Sequence, residues 1–155
     1  MPVEIHMGVC LPRDAETVPL VRSAIAHTLR LFGVDEDCIY EIGLAVTEAC
    51  ANVVTHAATD DEYEVVTHVN ETRCSIDVKN TGGGFDASNL TDTMPSADSA
   101  RGRGVNIMRA VMDKVALASS PEAGTIVHLV RSLSVKEDSP LMRLRRAAQE
   151  GASPA

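Results

Sequence analysis

Residues 80–104 of this 155-residue chain carry neither helical nor strand periodicity, although the segments on both sides are clearly patterned. They combine glycine with Ser, Thr, Asp and Asn, a composition typical of loops. A loop of this length is uncommon inside a compact domain, so it is either functional or a wrong assignment of secondary structure. The chain is 45% hydrophobic and long enough for one core, so we expect one domain with a functional loop.

The first part of the chain predicts a strand followed by two helices. Val3 to Leu11 alternates loosely and ends at Pro12, as a strand does. Apolar residues then recur every three or four positions, which predicts one helix from Ala15 to Phe32 and another from Asp35 to about Ala58. The residues predicted to face the core are Val18, Val21, Ile25, Leu29 and Phe32 in the first helix, and Cys38, Ile42, Ala45, Val46, Ala49 and Val53 in the second.

The remaining segments predict two hairpins, a third helix and a tail. The hairpins are predicted at 63–69 with 73–79 and at 115–119 with 125–133, and helical spacing resumes at Val105. The last stretch changes character and includes basic residues such as Arg145. We therefore predict a domain at 1–133 and a partly helical or disordered tail at 134–155.

Charge and composition exclude several classes of protein. A formal net charge of −8 argues against direct nucleic-acid binding, which needs clustered Lys and Arg. The four cysteines stand far apart without a C-x-x-C pair, which predicts neither a zinc site nor a disulfide framework. The sequence begins without a signal-peptide pattern and contains no run of 18 apolar residues, so we expect no membrane association and a cytoplasmic location.

The second helix carries the first motif with chemical potential. Glu48 and Asn52 are one helical turn apart and lie off the apolar stripe, so their side chains are neighbours. A carboxylate can take a proton from a hydroxyl, and an amide oxygen can bind Mg²⁺. Polar pairs at this spacing are also common on solvated helices, and His56, one turn further, reads as structural when taken alone.

Two glycine motifs follow along the chain. Asn80-Thr81-Gly82-Gly83-Gly84-Phe85 ends a strand, and its glycines would let the backbone approach a ligand, although a simple turn has the same composition. Arg101-Gly102-Arg103-Gly104 is predicted to lie directly before a helix, where free amides, the helix dipole and arginine can bind an anion. A flexible linker with solubilising arginines is the alternative interpretation.

Taken together, these motifs resemble those of the anti-sigma-factor serine kinases of the GHKL ATPase superfamily, which also contains the ATPase domains of gyrase and of histidine kinases. The resemblance covers residues 10–132 and is carried by TEACANVVTHA, RGRGVNIMRAVMDKV and GTIVHL. It implies an α+β fold, a two-layer sandwich with a mixed, mostly antiparallel sheet and helices on one face. It also implies ATP and Mg²⁺ as cofactors, a sigma factor and a STAS-type anti-anti-sigma factor as partners, and a homodimer.

The resemblance also assigns roles to individual residues. It implies that Glu48 is the general base for a substrate serine and that Asn52 is the Mg²⁺ ligand. The residues that would bind the nucleotide are Asn80, Gly82 and Gly84 around adenine, Arg101, Gly102, Arg103 and Gly104 at the phosphates, and Thr125 near the adenine base. The polar run at 86–100 would form a lid over the nucleotide.

One residue departs from the family pattern and leaves an alternative open. The family's first glycine motif usually begins with Asp, which accepts a hydrogen bond from the adenine amino group, whereas this chain has Asn80. An amide can accept a hydrogen bond from that amino group and donate one to the neighbouring ring nitrogen. We therefore expect ATP to bind more weakly than with Asp at this position, but still to bind. The alternative is a sigma-factor-binding module that has lost kinase activity. A histidine-kinase ATPase half is a third interpretation, but the chain has no room for a phosphoacceptor helix pair.

Overall fold

The computed structural model describes residues 2–56, 62–80, 99–120 and 124–151. Its strands are β1 (Glu4–Pro12), β2 (Glu62–Asn70), β3 (Arg73–Asn80), β4 (Lys114–Ser120) and β5 (Gly124–Ser132). Its helices are α1 (Val18–Leu31), α2 (Glu36–His56), α3 (Ser99–Val111) and α4 (Pro140–Gly151), with a 3₁₀ turn at Ala15–Thr17 before α1.

The five strands form one sheet in the order β1-β2-β3-β5-β4. Every pairing among the described strands is antiparallel, so the parallel component that the mixed-sheet prediction allowed is not found in this part of the chain. Burial alternates along β2 and β3, and helices α1 to α3 pack over one side of the sheet. The predicted two-layer α+β fold with helices on one face is therefore confirmed.

The two predicted helical stripes form the core between the layers. Each residue predicted to face inward from the first two helices is buried. Asp35 begins α2 as predicted, because its carboxylate accepts a hydrogen bond from the Cys38 N–H at 2.9 Å. The first helix differs slightly from prediction, since Asp14 caps the 3₁₀ turn and α1 itself begins at Val18, next to Pro19.

Helix α2 resembles a membrane span in length and composition, and it is the one described helix that does. Half of the matching stretch, Glu36–Thr55, is buried inside the protein. Such burial is typical of the central helix of a globular domain, whose apolar residues face the sheet.

Helix α3 begins earlier than the sequence predicts. Residues 101–104 were expected to precede the helix, but α3 starts at Ser99 and includes them. The prediction of a helix start at Val105 was therefore wrong. Glycine has low helical propensity, but the space left by the missing side chain of Gly104 holds the Glu48 carboxylate of α2, and the packing of the two helices outweighs the low propensity.

The cysteines are packing residues in the described structure. All four are free thiols, and three of them, Cys38, Cys50 and Cys74, are buried. Burial raises the pKa of Cys50 and of Cys74 to about 12, so both stay protonated and uncharged at neutral pH. This agrees with the prediction that they form no disulfide framework.

The segment after residue 133 packs against the rest of the domain. Met142 of α4 is buried in the core cluster, together with partly buried Leu133, Val135 and Leu141. Arg145 forms an ion pair with Glu71 in the β2–β3 turn, and the same Glu71 oxygen accepts the Val3 N–H at 3.2 Å. One carboxylate therefore holds both the start of β1 and the last helix, and the proposed boundary at 133/134 stays a prediction.

The end of α1 contacts the segment that precedes α4. Gly33 has a φ of +72°, and the N–H groups of Gly33 and Val34 donate to the carbonyls of Arg30 and Leu29, which closes the helix in a Schellman motif. A Cβ on Gly33 would lie 2.7 Å from the Ser139 Cβ. Glycine is needed here for both its backbone angle and its small size.

We predict that Gly33→Ala lowers the free energy of unfolding by about 2 kcal/mol or more, because it combines a left-handed backbone with a steric clash. Chemical denaturation measures the change. The matched control is Gly8→Ala in β1, where nothing lies within 4 Å of the added Cβ and the effect should stay within about 0.5 kcal/mol. Equal effects of the two substitutions would contradict the prediction.

Candidate functional site

Helix α2 holds the first two predicted site residues. Glu48 is half-buried and Asn52, one turn later, is buried with 8% exposure. Both lie beside the stripe that packs on the sheet, so burial of that stripe fixes the direction in which they point. Asn52 is one of few polar side chains in the described interior.

Helix α3 lies against the Glu48 side chain. A Cβ built on Gly104 would be 2.9 Å from Glu48 Oε2 and 3.9 Å from Glu48 Cβ. The carboxylate of α2 therefore occupies the space that a side chain at position 104 would fill. The structure thus brings together two groups from different predicted motifs.

The end of β3 and the beginning of β5 form the second part of the site. Asn80 and Thr125 are both buried, with 8% and 2% exposure. The Thr125 N–H donates to Asn80 Oδ1 at 3.1 Å. Because a backbone N–H needs an acceptor, Oδ1 must face Thr125, and Nδ2 lies on the other side of the amide.

Gly124 is a functional candidate that the sequence analysis did not select. Its φ is +90°, and a Cβ there would lie 1.9 Å from Asn80 Oδ1 and 2.3 Å from Nδ2. Only glycine lets the β5 backbone approach the Asn80 amide this closely. A glycine directly before Thr125 was the available signal.

The other predicted site residues are described only in part. Arg103 is exposed on α3, and of Arg101 and Gly102 the structure describes the backbone, which belongs to the same helix. Gly82 and Gly84 lie outside the described residues, as does the predicted lid except for its last two positions. Their predicted contact with phosphates and adenine stays a prediction.

A groove of about 620 Å³ lies elsewhere, between α1 and α2. Arg22, Tyr40 and Thr47 are among its lining residues, and it includes none of the predicted site residues. The described site residues therefore lie outside this groove, some at the junction of α2 with α3 and others at the adjoining ends of β3 and β5.

Helices cover one face of the sheet, Gly104 packs against an acidic helix residue, and Gly124 packs against a buried amide at a strand end. A family model described as histidine kinase-like ATPase domain matches residues 11–131. The serine-protein kinases RsbW of Bacillus cereus (strain AH820) and of Bacillus anthracis are each 30% identical to this chain over 115 residues, which covers 68% of this chain and 72% of each relative.

A solved structure has a similar fold. The RsbU and RsbW domains of a Mycobacterium tuberculosis protein match 85% of this chain with a TM-score of 0.64 and 19% sequence identity. The chain spans about a third of that solved chain (33%), and at this identity the likeness concerns the fold alone. With the family model and the RsbW relatives, the chain belongs to the anti-sigma-factor serine kinase family of histidine kinase-like ATPase domains.

The two described glycines of the site should respond differently to alanine. We predict that Gly124→Ala lowers the free energy of unfolding by about 2 kcal/mol or more, through its positive φ and the clash with the Asn80 amide. Gly104→Ala should leave it unchanged or raise it by up to about 1 kcal/mol, since the new methyl group meets the end of a flexible side chain and favours the helix. Denaturant titration of both variants tests this contrast, and equal destabilisation would refute it.

Proposed function

We propose that this protein is an anti-sigma factor that transfers the γ-phosphoryl group of Mg-ATP to a serine of an anti-anti-sigma partner. Membership of the family implies the use of ATP, whereas the substrate, the partners and the roles of individual residues belong to the proposal. Phosphorylation would add a charge near −2 to the antagonist's interface and so release this protein to bind its sigma factor.

The packing of Gly104 against Glu48 is the observation that supports the proposal most directly. It joins the carboxylate proposed as general base to the helix whose first turns contain the glycines and arginines proposed for the phosphates. A kinase needs its base next to the phosphoryl group, because proton acceptance from the hydroxyl and transfer occur at adjacent atoms.

The hydrogen-bonding atoms of Asn80 are complementary to an adenine ring. Oδ1 accepts from the Thr125 N–H and keeps one lone pair for the adenine amino group, while Nδ2 can donate to the neighbouring ring nitrogen. Because Gly124 has no side chain, the backbone of β5 can contact the side-chain amide of Asn80. The buried amide is thus held before any ligand arrives, which lowers the entropic cost of recognition.

The proposed chemistry divides between the cofactors and the chain. ATP supplies the phosphoryl group, and Mg²⁺ neutralises part of its charge. Glu48 accepts the proton of the substrate hydroxyl, and the Asn52 side-chain oxygen is the proposed Mg²⁺ ligand. Asn80 orients the adenine ring of ATP.

The α1–α2 surface supports the binding of a protein partner. Tyr40 (68% exposed), Leu20 and Leu44 are large apolar residues that remain exposed on these helices, and Arg22 lies beside them in the groove. An exposed apolar surface with an arginine is typical of protein interfaces. We propose it for the sigma factor or its antagonist, and the homodimer stays a prediction.

We predict that Glu48→Gln reduces phosphate transfer at least about 100-fold and changes ATP affinity by less than about threefold, because it removes the proton acceptor and keeps the shape. Transfer from labelled ATP to the antagonist gives the rate, and calorimetric titration with Mg-ATP gives the affinity. Glu41→Gln is the matched control on the same helix, since Glu41 pairs with Arg131 and does not line the α1–α2 groove. Equal losses of transfer and binding in Glu48→Gln would exclude the general-base role.

We predict that Asn80→Asp tightens ATP binding roughly tenfold, because a carboxylate can still accept from the Thr125 N–H and forms a stronger hydrogen bond with the adenine amino group. Asn80→Ala, which removes both hydrogen-bonding atoms, should weaken binding. Titration calorimetry with and without Mg²⁺ measures each change.

The same experiment separates the kinase from the inactive binding module. The specific observation behind that second candidate is that Asn80 Oδ1 is already engaged by the Thr125 N–H. A wild-type chain that fails to bind ATP while Asn80→Asp binds it would favour a sigma-factor-binding module. ATP binding by the wild type would favour the kinase.

A further inference from the structure

The face of the sheet opposite the helices carries a cluster of two histidines and a glutamate. Glu4 and His6 are two residues apart on β1, so their side chains point to the same side, and His6 stands directly opposite His68 of β2. The ligand-capable atoms of the three residues all lie within 4.8 Å of one another. Antiparallel pairing of β1 with β2 thus brings together three side chains that can bind a metal ion, and no local sequence motif indicates this grouping.

The distances within the cluster match those between ligands of one metal ion. Glu4 Oε2 is 3.3 Å from His6 Nε2 and 2.7 Å from His68 Nε2. Two ligands of a tetrahedral zinc ion with bonds of about 2.0–2.1 Å are roughly 3.3 Å apart. Little movement of the carboxylate is therefore needed for both imidazoles and Glu4 to share an ion.

The histidine rings require one adjustment. Their centroids are 3.9 Å apart and the rings are stacked, at 19°. Each Nε2 lies within hydrogen-bond distance of Glu4 Oε2, so it binds an ion only after its ring proton has moved to Nδ1. Rotation of one ring about its Cβ–Cγ bond would aim its lone pair at the shared position. The His6 side chain is 67% exposed, which gives it the space to turn.

The chemistry of the donor set suits a transition-metal cation. One carboxylate and two imidazoles form the His₂Glu donor set that zinc uses when a fourth position stays open. Hard cations such as Mg²⁺ and Ca²⁺ prefer oxygen ligands throughout, so they should compete poorly.

We propose that Glu4, His6 and His68 bind a divalent transition-metal ion of the zinc class on the exposed face of the sheet. This site is independent of the proposed nucleotide site, because it lies on the face of the sheet opposite α2 and α3. The ion links β1, the edge strand, to β2 and leaves one coordination position for water or a small ligand.

The test is calorimetric titration of untagged full-length protein with ZnCl₂, without nucleotide and with excess Mg²⁺ in the buffer. We expect one zinc ion per chain, a higher thermal midpoint with zinc, and affinity at least tenfold lower in His6→Ala and His68→Ala. Glu4→Gln should also bind more weakly. Histidine ring nitrogen NMR should show zinc-dependent shifts for His6 and His68.

His128 provides the matched control on the same face. It pairs with Asp77 at 2.6 Å and is not part of the cluster, so His128→Ala should keep wild-type zinc affinity. Thermal melts without zinc verify that each variant folds, and His6→Gln and His68→Gln replace any alanine variant that does not. Absence of zinc binding, wild-type affinity in the His6 and His68 variants, or equal loss in His128→Ala would each overturn the proposal.

Discussion

Burial of the α2 stripe against the sheet is the constraint on which the rest of the structure depends. Ile42, Ala45, Val46, Ala49 and Val53 are fully buried, so the helix has one rotational setting about its axis. That setting leaves Glu48 beside α3, with its carboxylate in the space next to Gly104. The core therefore fixes the direction of the carboxylate that we propose as the general base.

Strand register supplies the other half of the site. Because β3 and β5 are antiparallel neighbours, the last residue of β3 meets the first residues of β5, and Asn80 contacts Thr125 across 45 positions of sequence. Gly124 makes that contact possible by carrying no side chain. Helix periodicity therefore positions Glu48 and Asn52, whereas sheet pairing positions Asn80 and Thr125.

The same distinction explains what the sequence could and could not predict. Local periodicity predicted the stripes of α1 and α2 and both hairpins, and the spacing of Glu48 and Asn52 follows from one helical turn. The start of α3, the role of Gly124 and the pairing of His6 with His68 depend on which distant segments become neighbours. No local pattern encodes such pairings, since alternation states only that residues share a face and leaves their partners unspecified.

The shared carboxylate of Glu71 has a thermodynamic consequence for this end of the molecule. Its hydrogen bonds with Arg145 and with the Val3 amide hold its pKa below the ordinary value of 4.5. Their stabilising effect is complete above that value and fades as acid protonates the folded form. Protonation of this one carboxyl therefore weakens a contact of the segment before β1 and a contact of α4 together, so the two contacts respond to acid in parallel.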